Sequence, residues 1–98
     1  MELLVLKTLA LEPLHGYGIG QRIEQVSHGV FKVTLGSLYP ALQRLEKDGL
    51  VEAEWKASEN GRRARYYRLT ASGRRRLSAE QKDWERESAA IARILKAT

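Results

Sequence analysis

Val51-Glu52-Ala53-Glu54-Trp55-Lys56-Ala57-Ser58-Glu59-Asn60-Gly61-Arg62-Arg63-Ala64-Arg65-Tyr66-Tyr67-Arg68-Leu69-Thr70 is the stretch that decides the fold. Val51, Ala53 and Trp55 alternate with Glu52, Glu54 and Lys56, which predicts a strand with one buried face. Ser58-Glu59-Asn60-Gly61 is a turn signal, and Asn-Gly is the strongest short hairpin cue. Arg65 to Thr70 predicts the return strand, with Tyr67 and Leu69 on one face. The segment is therefore a β-hairpin, and the rest of the chain reads as helix on both sides of it.

Immediately before the hairpin, Leu38, Leu42 and Leu45 share a helical face, supported by Leu35 and Ala41, and Gly49 closes the helix. Ser37, Pro40, Gln43, Arg44 and Lys47 lie on the opposite face, with Tyr39 on the flank. Pro40 would cost about 3 kcal/mol in a helix interior. An N-cap at Ser37 would place it in the first turn, where amides are unpaired anyway; a start at Thr34 or Leu35 implies a kink instead. Further back, Ile19, Ile23 and Val26 predict a helix from Tyr17 to about His28, stopped by Gly29. Gly18 and Gly20 weaken it unless a neighbouring backbone or a phosphate approaches closely. Leu3, Leu6, Leu9 and Ala10 predict a first helix ended by Glu12-Pro13. After the hairpin, Ala71 onward is helical, capped by Thr70 or Ser72, and from Ser72 to Thr98 it could reach about 40 Å.

The 98 residues bound the chain to one core. They include no Cys, so there is no disulfide framework, thiolate metal cluster or cysteine nucleophile. The longest apolar stretch, Leu3 to Leu11, is interrupted by Lys7 and Thr8 and falls short of a membrane span. It also lacks a basic leader and a small-residue cleavage site, so a cytoplasmic protein without membrane attachment is expected. Formal net charge is +5. Seven arginines and no acid lie between Gly61 and Arg76, which leaves the remainder of the chain net −2. A guanidinium fork matches phosphate oxygens and guanine edges better than an ammonium does.

Three short helices, a hairpin and a long helix form the layout of a winged helix-turn-helix. In that architecture the third helix enters the DNA major groove and the hairpin is the wing beside it. The expected fold class is mainly α with a two-stranded β-wing, residues 1–71 forming the DNA-binding domain and 72–98 a C-terminal dimerisation helix. Candidate DNA contacts are Lys32, Thr34, Ser37, Tyr39, Pro40, Gln43, Arg44 and Lys47 from the third helix and its approach. Arg62, Arg63 and Arg65 are the candidates from the wing. Leu77, Trp84 and Ile91 recur every seven residues, and Ile94 and Leu95 continue the stripe. That pattern is expected to be a homodimer seam, because so long a helix overhangs so small a domain; packing on the chain's own core is the alternative.

Three segments also resemble the PadR-like transcriptional regulators. Gly36-Ser37-Leu38-Tyr39-Pro40-Ala41-Leu42-Gln43-Arg44-Leu45-Glu46-Lys47-Asp48-Gly49-Leu50 is similar to their recognition-helix signature. His15-Gly16-Tyr17-Gly18-Ile19 resembles their entry into helix two, and Arg65 to Gly73 their second wing strand and last turn. The resemblance runs from about Leu3 to Leu77. It implies a dimeric bacterial-type repressor, with Ser37, Tyr39 and Pro40 at the DNA and Arg62 and Arg63 on its backbone. By family analogy, an effector, if there is one, would be a small aromatic molecule at the dimer interface near Trp84. This chain starts almost at its first leucines, so a short helix one is expected, and the brief last helix matches the compact branch of the family.

Other chemistries fit poorly. Gly16-x-Gly18-x-Gly20 has the wrong spacing for a dinucleotide loop and no strand-helix-strand unit around it. His15 and His28 have no carboxylate or thiol at ligand spacing, so no metal is expected, and His15 reads as a helix-start residue. No cofactor and no enzyme activity are expected. Tyr66 and Tyr67 among arginines could stack RNA bases, though a core role for Tyr67 fits better. The rival from another class is a winged-helix protein-interaction module that never touches DNA.

Overall fold

The computed structural model describes residues 1–97. The order is α1 (Glu2–Leu11), β1 (Leu14–His15), α2 (Gly16–Val26), α3 (Leu35–Lys47), β2 (Val51–Ala57), β3 (Arg63–Leu69) and α4 (Ala71–Lys96). Val5, Leu6, Leu9, Ile19, Leu38, Leu42, Leu45 and Val51 are almost wholly buried, so the predicted apolar stripes of the first three helices meet in one core. Helix α1 has ten residues and packs on α2, α3, β3 and α4.

The wing is the predicted hairpin, with Val51 opposite Leu69 and Ala53 opposite Tyr67. Its turn closes with the Ser58 amide donating to the Arg62 carbonyl at 2.7 Å and the Gly61 amide to the Ser58 carbonyl at 2.9 Å. Gly61 takes φ +81°, a left-handed value that completes this three-residue connection without a Cβ clash. A further strand was not foreseen. Leu14 and His15 pair antiparallel with Tyr67 and Tyr66, giving a three-stranded sheet in the order β1-β3-β2. Two residues are too few to show a period in sequence, and the pairing depends on β3 being in place.

Three local expectations are corrected. Ser37 is not the N-cap of α3: Thr34 is, its hydroxyl accepting from the Ser37 amide at 3.3 Å. Pro40 therefore lies beyond the first turn, and the Gly36 carbonyl loses its helical donor. Gly36 is exposed, so water can serve that carbonyl. Leu35, expected to support the core, is exposed at the start of the helix. Trp55 points to the inward face of β2 as its period requires, yet is 59% exposed. It is four residues past Val51, roughly 13 Å along the strand, where the core has ended.

Thr70 caps α4, accepting from the Gly73 amide at 3.0 Å and donating to the Gly49 carbonyl at 2.7 Å. Gly73 is buried, and a Cβ there would collide with the Leu50 carbonyl. That close approach seats α4 on the base of the wing. Leu77 joins the core, but no later apolar residue of α4 does. The rest of the helix projects, and the molecule measures 57 × 29 × 21 Å.

Candidate nucleic-acid interface

Helix α3 presents Gly36, Pro40, Gln43 and Lys47 in one exposed ridge, because i, i+4, i+7 and i+11 return to the same side of a helix. Its buried side holds Leu38, Ala41, Leu42 and Leu45. The other polar residues of the helix are already engaged. The Ser37 hydroxyl lies 3.1 Å from the Thr34 carbonyl and 3.2 Å from the Thr34 hydroxyl. Arg44 turns toward α1, its Nε donating to the Glu2 carboxylate at 3.0 Å. Both partners are well exposed, so the pair adds about 1 kcal/mol at most and can be exchanged for another anion.

Tyr39 leans from α3 toward the start of α2. Gly16 accommodates it, since a Cβ there would stand 3.1 Å from the Tyr39 ring. His15 caps α2 as expected, its Nδ1 accepting from the Gly18 amide at 3.0 Å. At Gly20 no close backbone approach is found, since a Cβ there would make an ordinary contact 3.5 Å from the Val33 carbonyl. Lys32 and Thr34 are exposed in the segment leading into α3.

Between the start of α2, the flank of α3 and the inward face of the wing lies an open cleft of about 860 Å³. Tyr39 and Gln43 of α3 line it, as do Arg62, Arg63 and Arg65 of the wing. The structure thus brings these predicted residues together, whereas Lys32, Thr34, Ser37, Pro40, Arg44 and Lys47 do not line the cleft. Tyr17, Gln21 and Gln25 of α2 and Trp55 of β2 also line the cleft and were missed. The α2 residues sit on the polar side of an amphipathic helix, where sequence marks only solvent exposure. Trp55 lies on the inward face that its period predicts, but where the core ends beneath that face is set by packing.

The arginine-rich segment divides in two. Arg65 donates to Glu46 of α3 at 2.6 Å, Arg68 faces Glu52 at 3.5 Å and Arg76 faces Glu80 at 3.6 Å. Among the described residues, Arg62, Arg63, Arg74 and Arg75 have no carboxylate within ion-pairing distance. The free positive charge therefore concentrates at the tip of the wing and the start of α4. Tyr67 is buried beneath Arg65; burial pushes its hydroxyl above the usual 10.0, the Arg65 charge opposing and Glu46 and Tyr39 adding to the rise. Tyr66 is covered on the outer face, with the His15 ring 5.2 Å away and the Lys56 ammonium 4.5 Å from its centroid. Tyr67 therefore offers no free stacking surface, and the half-buried Tyr66 ring is shared with His15 and Lys56.

Of the predicted seam residues, Leu77 is spent in the chain's own core at 8% exposure. Trp84, Ile91, Ile94 and Leu95 are 56–79% exposed along the projecting part of α4. Among the described residues no helix is long and apolar enough to cross a membrane.

Three helices, a cleft-forming hairpin beside the third and a projecting C-terminal helix define a winged helix-turn-helix protein. Comparison with known proteins narrows this: residues 5–79 match the transcriptional regulator PadR-like family, and the chain belongs to it. A transcriptional regulator of Mycobacterium tuberculosis is 37% identical over 81 residues, 83% of this chain and 72% of that protein. An uncharacterized 37.1 kDa protein in transposon TN4556 of Streptomyces fradiae is 44% identical over 93 residues, covering 95% of this chain and 23% of that protein. The crystal structure of a PadR-like transcriptional regulator from Bacillus cereus superposes with a TM-score of 0.87 at 30% identity, over 99% of this chain and 92% of that one.

Proposed function

We propose that this transcriptional regulator works in the bacterial cytoplasm as a homodimeric repressor of double-stranded DNA sites. In this reading residues 1–71 bind DNA and residues 72–98 form the dimer. The ridge of Gly36, Pro40, Gln43 and Lys47 enters the major groove, with Gln43 the side chain suited to reading a base edge. Arg62 and Arg63 hold backbone phosphates. Arg44 and Arg65 can meet phosphates directly only after releasing their carboxylate partners.

The observation that carries the proposal is one uncovered face. Gln43 of the α3 ridge and the two acid-free arginines of the wing tip line a single cleft, and the rest of the ridge is exposed beside it. A module that bound only other proteins would have no need for uncompensated guanidinium groups beside a polar helix. The exposed stripe from Trp84 to Leu95 supports a second copy as the partner, because its large apolar side chains have nothing of their own chain to cover them. A small aromatic effector would sit against Trp84 at that seam.

Selecting bound fragments from random duplex DNA tests the proposal. A pseudo-palindromic site should be enriched, with half-site centres about one helical turn or a multiple apart. Affinity for it should fall linearly on logarithmic axes as salt rises, through counterion release. No enrichment, together with tight binding to another protein, would leave the interaction-module alternative standing.

A further inference from the structure

The inward face of the wing changes character along its length. Its cross-strand pairs run Val51 with Leu69, Ala53 with Tyr67, Trp55 with Arg65 and Ala57 with Arg63. Val51, Leu69 and Tyr67 belong to the core and Ala53 packs against it. Trp55 continues the same face into the cleft, where most of its indole stays in solvent. A single exposed aromatic needs no explanation on its own. This one, however, shares the cleft with Tyr39 and Gln43 across from it and with Arg62 and Arg63 farther along the wing.

The charge of the cleft selects what can fill it. Four arginines line it against two glutamates, Glu12 and Glu59. Glu12 is taken by Arg22 at 2.9 Å, while Arg62 and Arg63 have no carboxylate partner among the described residues. An indole beside free guanidinium groups suits a polyanion with apolar surface between its charges. Phosphate oxygens accept from the arginines and from the indole N–H, and deoxyribose C–H groups cover the ring face. In a duplex the bases are stacked, so the backbone is the surface that such a flank meets. The strand that carries the indole is also tethered before any ligand arrives. The ladder neighbour of Trp55, Arg65, is tied to Glu46 of α3, which fixes the wing against that helix and reduces the ordering needed on binding.

We propose that Trp55 is a DNA-contact residue, its indole packing on the sugar–phosphate backbone of a duplex lying between α3 and the wing. The inference rests on the DNA-binding reading above and adds to it an apolar, charge-independent contact.

The test uses the full chain with fluorotryptophan at its two tryptophan positions, observed by fluorine NMR. The Trp55 resonance is assigned by its loss in Trp55→Phe. Adding a mixed-sequence DNA duplex at low salt should shift that resonance and remove its solvent isotope shift. In parallel, anisotropy of a labelled duplex should show affinity falling roughly tenfold in Trp55→Ala and less in Trp55→Phe, as expected for lost apolar burial. The slope of affinity against salt should stay unchanged, because no charge is removed. Duplex binding with an unaltered Trp55 resonance, or with full affinity in Trp55→Ala, overturns this inference and leaves the DNA reading intact. Tighter binding to a single strand than to the duplex overturns it in favour of base stacking. No duplex binding by the unsubstituted protein overturns both.

Discussion

Helices α3 and α4 are both amphipathic, and they complete their apolar sides differently. In α3, Leu38, Ala41 and Leu42 are wholly buried and Leu45 is nearly so. Every large apolar residue on its inward stripe has a partner within the chain, leaving the opposite face free to carry polar groups for a ligand. In α4 only Gly73 and Leu77 are buried, and Trp84, Ile91, Ile94 and Leu95 face solvent. A heptad stripe in sequence states that a helix has an apolar side; whether its own chain reaches far enough to cover it is a matter of size. Here the core ends about two turns into α4, at Leu77.

That contrast can be broken by substitutions in each helix. Leu42→Ala should cost about 3 kcal/mol in chemical denaturation, since it empties a wholly buried site. A loss below about 1 kcal/mol would mean that the α3 stripe is less completely packed than its burial implies. Trp84→Lys with Ile91→Lys should leave the circular dichroism spectrum intact and weaken the proposed homodimer by roughly 100-fold, read by sedimentation. Dimers that survive unchanged would refute the seam.

Smaller effects sharpen the account of the polar side. Arg62→Ala with Arg63→Ala should weaken all duplexes about equally, by roughly tenfold, and flatten the salt slope by nearly two. An unchanged slope would remove the wing tip from the interface. The smallest change is the most discriminating in sign. If Arg65 chiefly ties the wing to α3 through Glu46, Glu46→Gln should lower duplex affinity about threefold, within what an exposed ion pair can contribute. If Arg65 instead meets phosphate directly, removing the competing carboxylate should raise affinity. Anisotropy at one salt concentration separates the two.

Much of the architecture was legible in the residues themselves. The leucine spacings of α1 and α3, the alternation of Val51 and Ala53, the turn at Asn60-Gly61 and the Thr70 cap each have a local cause, so reading them requires no knowledge of what lies across the core. The strand at Leu14 and His15 was not legible, because a two-residue ladder exists only by virtue of Tyr66 and Tyr67 beside it. The start of α3 stayed open in sequence between an N-cap at Ser37 and a start at Thr34 or Leu35, because proline avoidance favours the first; the structure takes the second. The exposed Gly36 carbonyl makes the interior proline tolerable.

The candidate interface follows the same division. Sequence alone placed the excess charge between Gly61 and Arg76 and put Gln43 and Lys47 on the polar side of α3. Those are properties of composition and helical period, which each residue carries wherever the chain folds. Only the tertiary structure decided that Arg65 meets Glu46, that Arg44 meets Glu2 and that Trp55 enters a cleft while Leu77 enters the core. Arg65 and Glu46 are nineteen positions apart, and Arg44 and Glu2 forty-two. Pairings over such separations are set by how the helices and the wing pack, which no local pattern encodes.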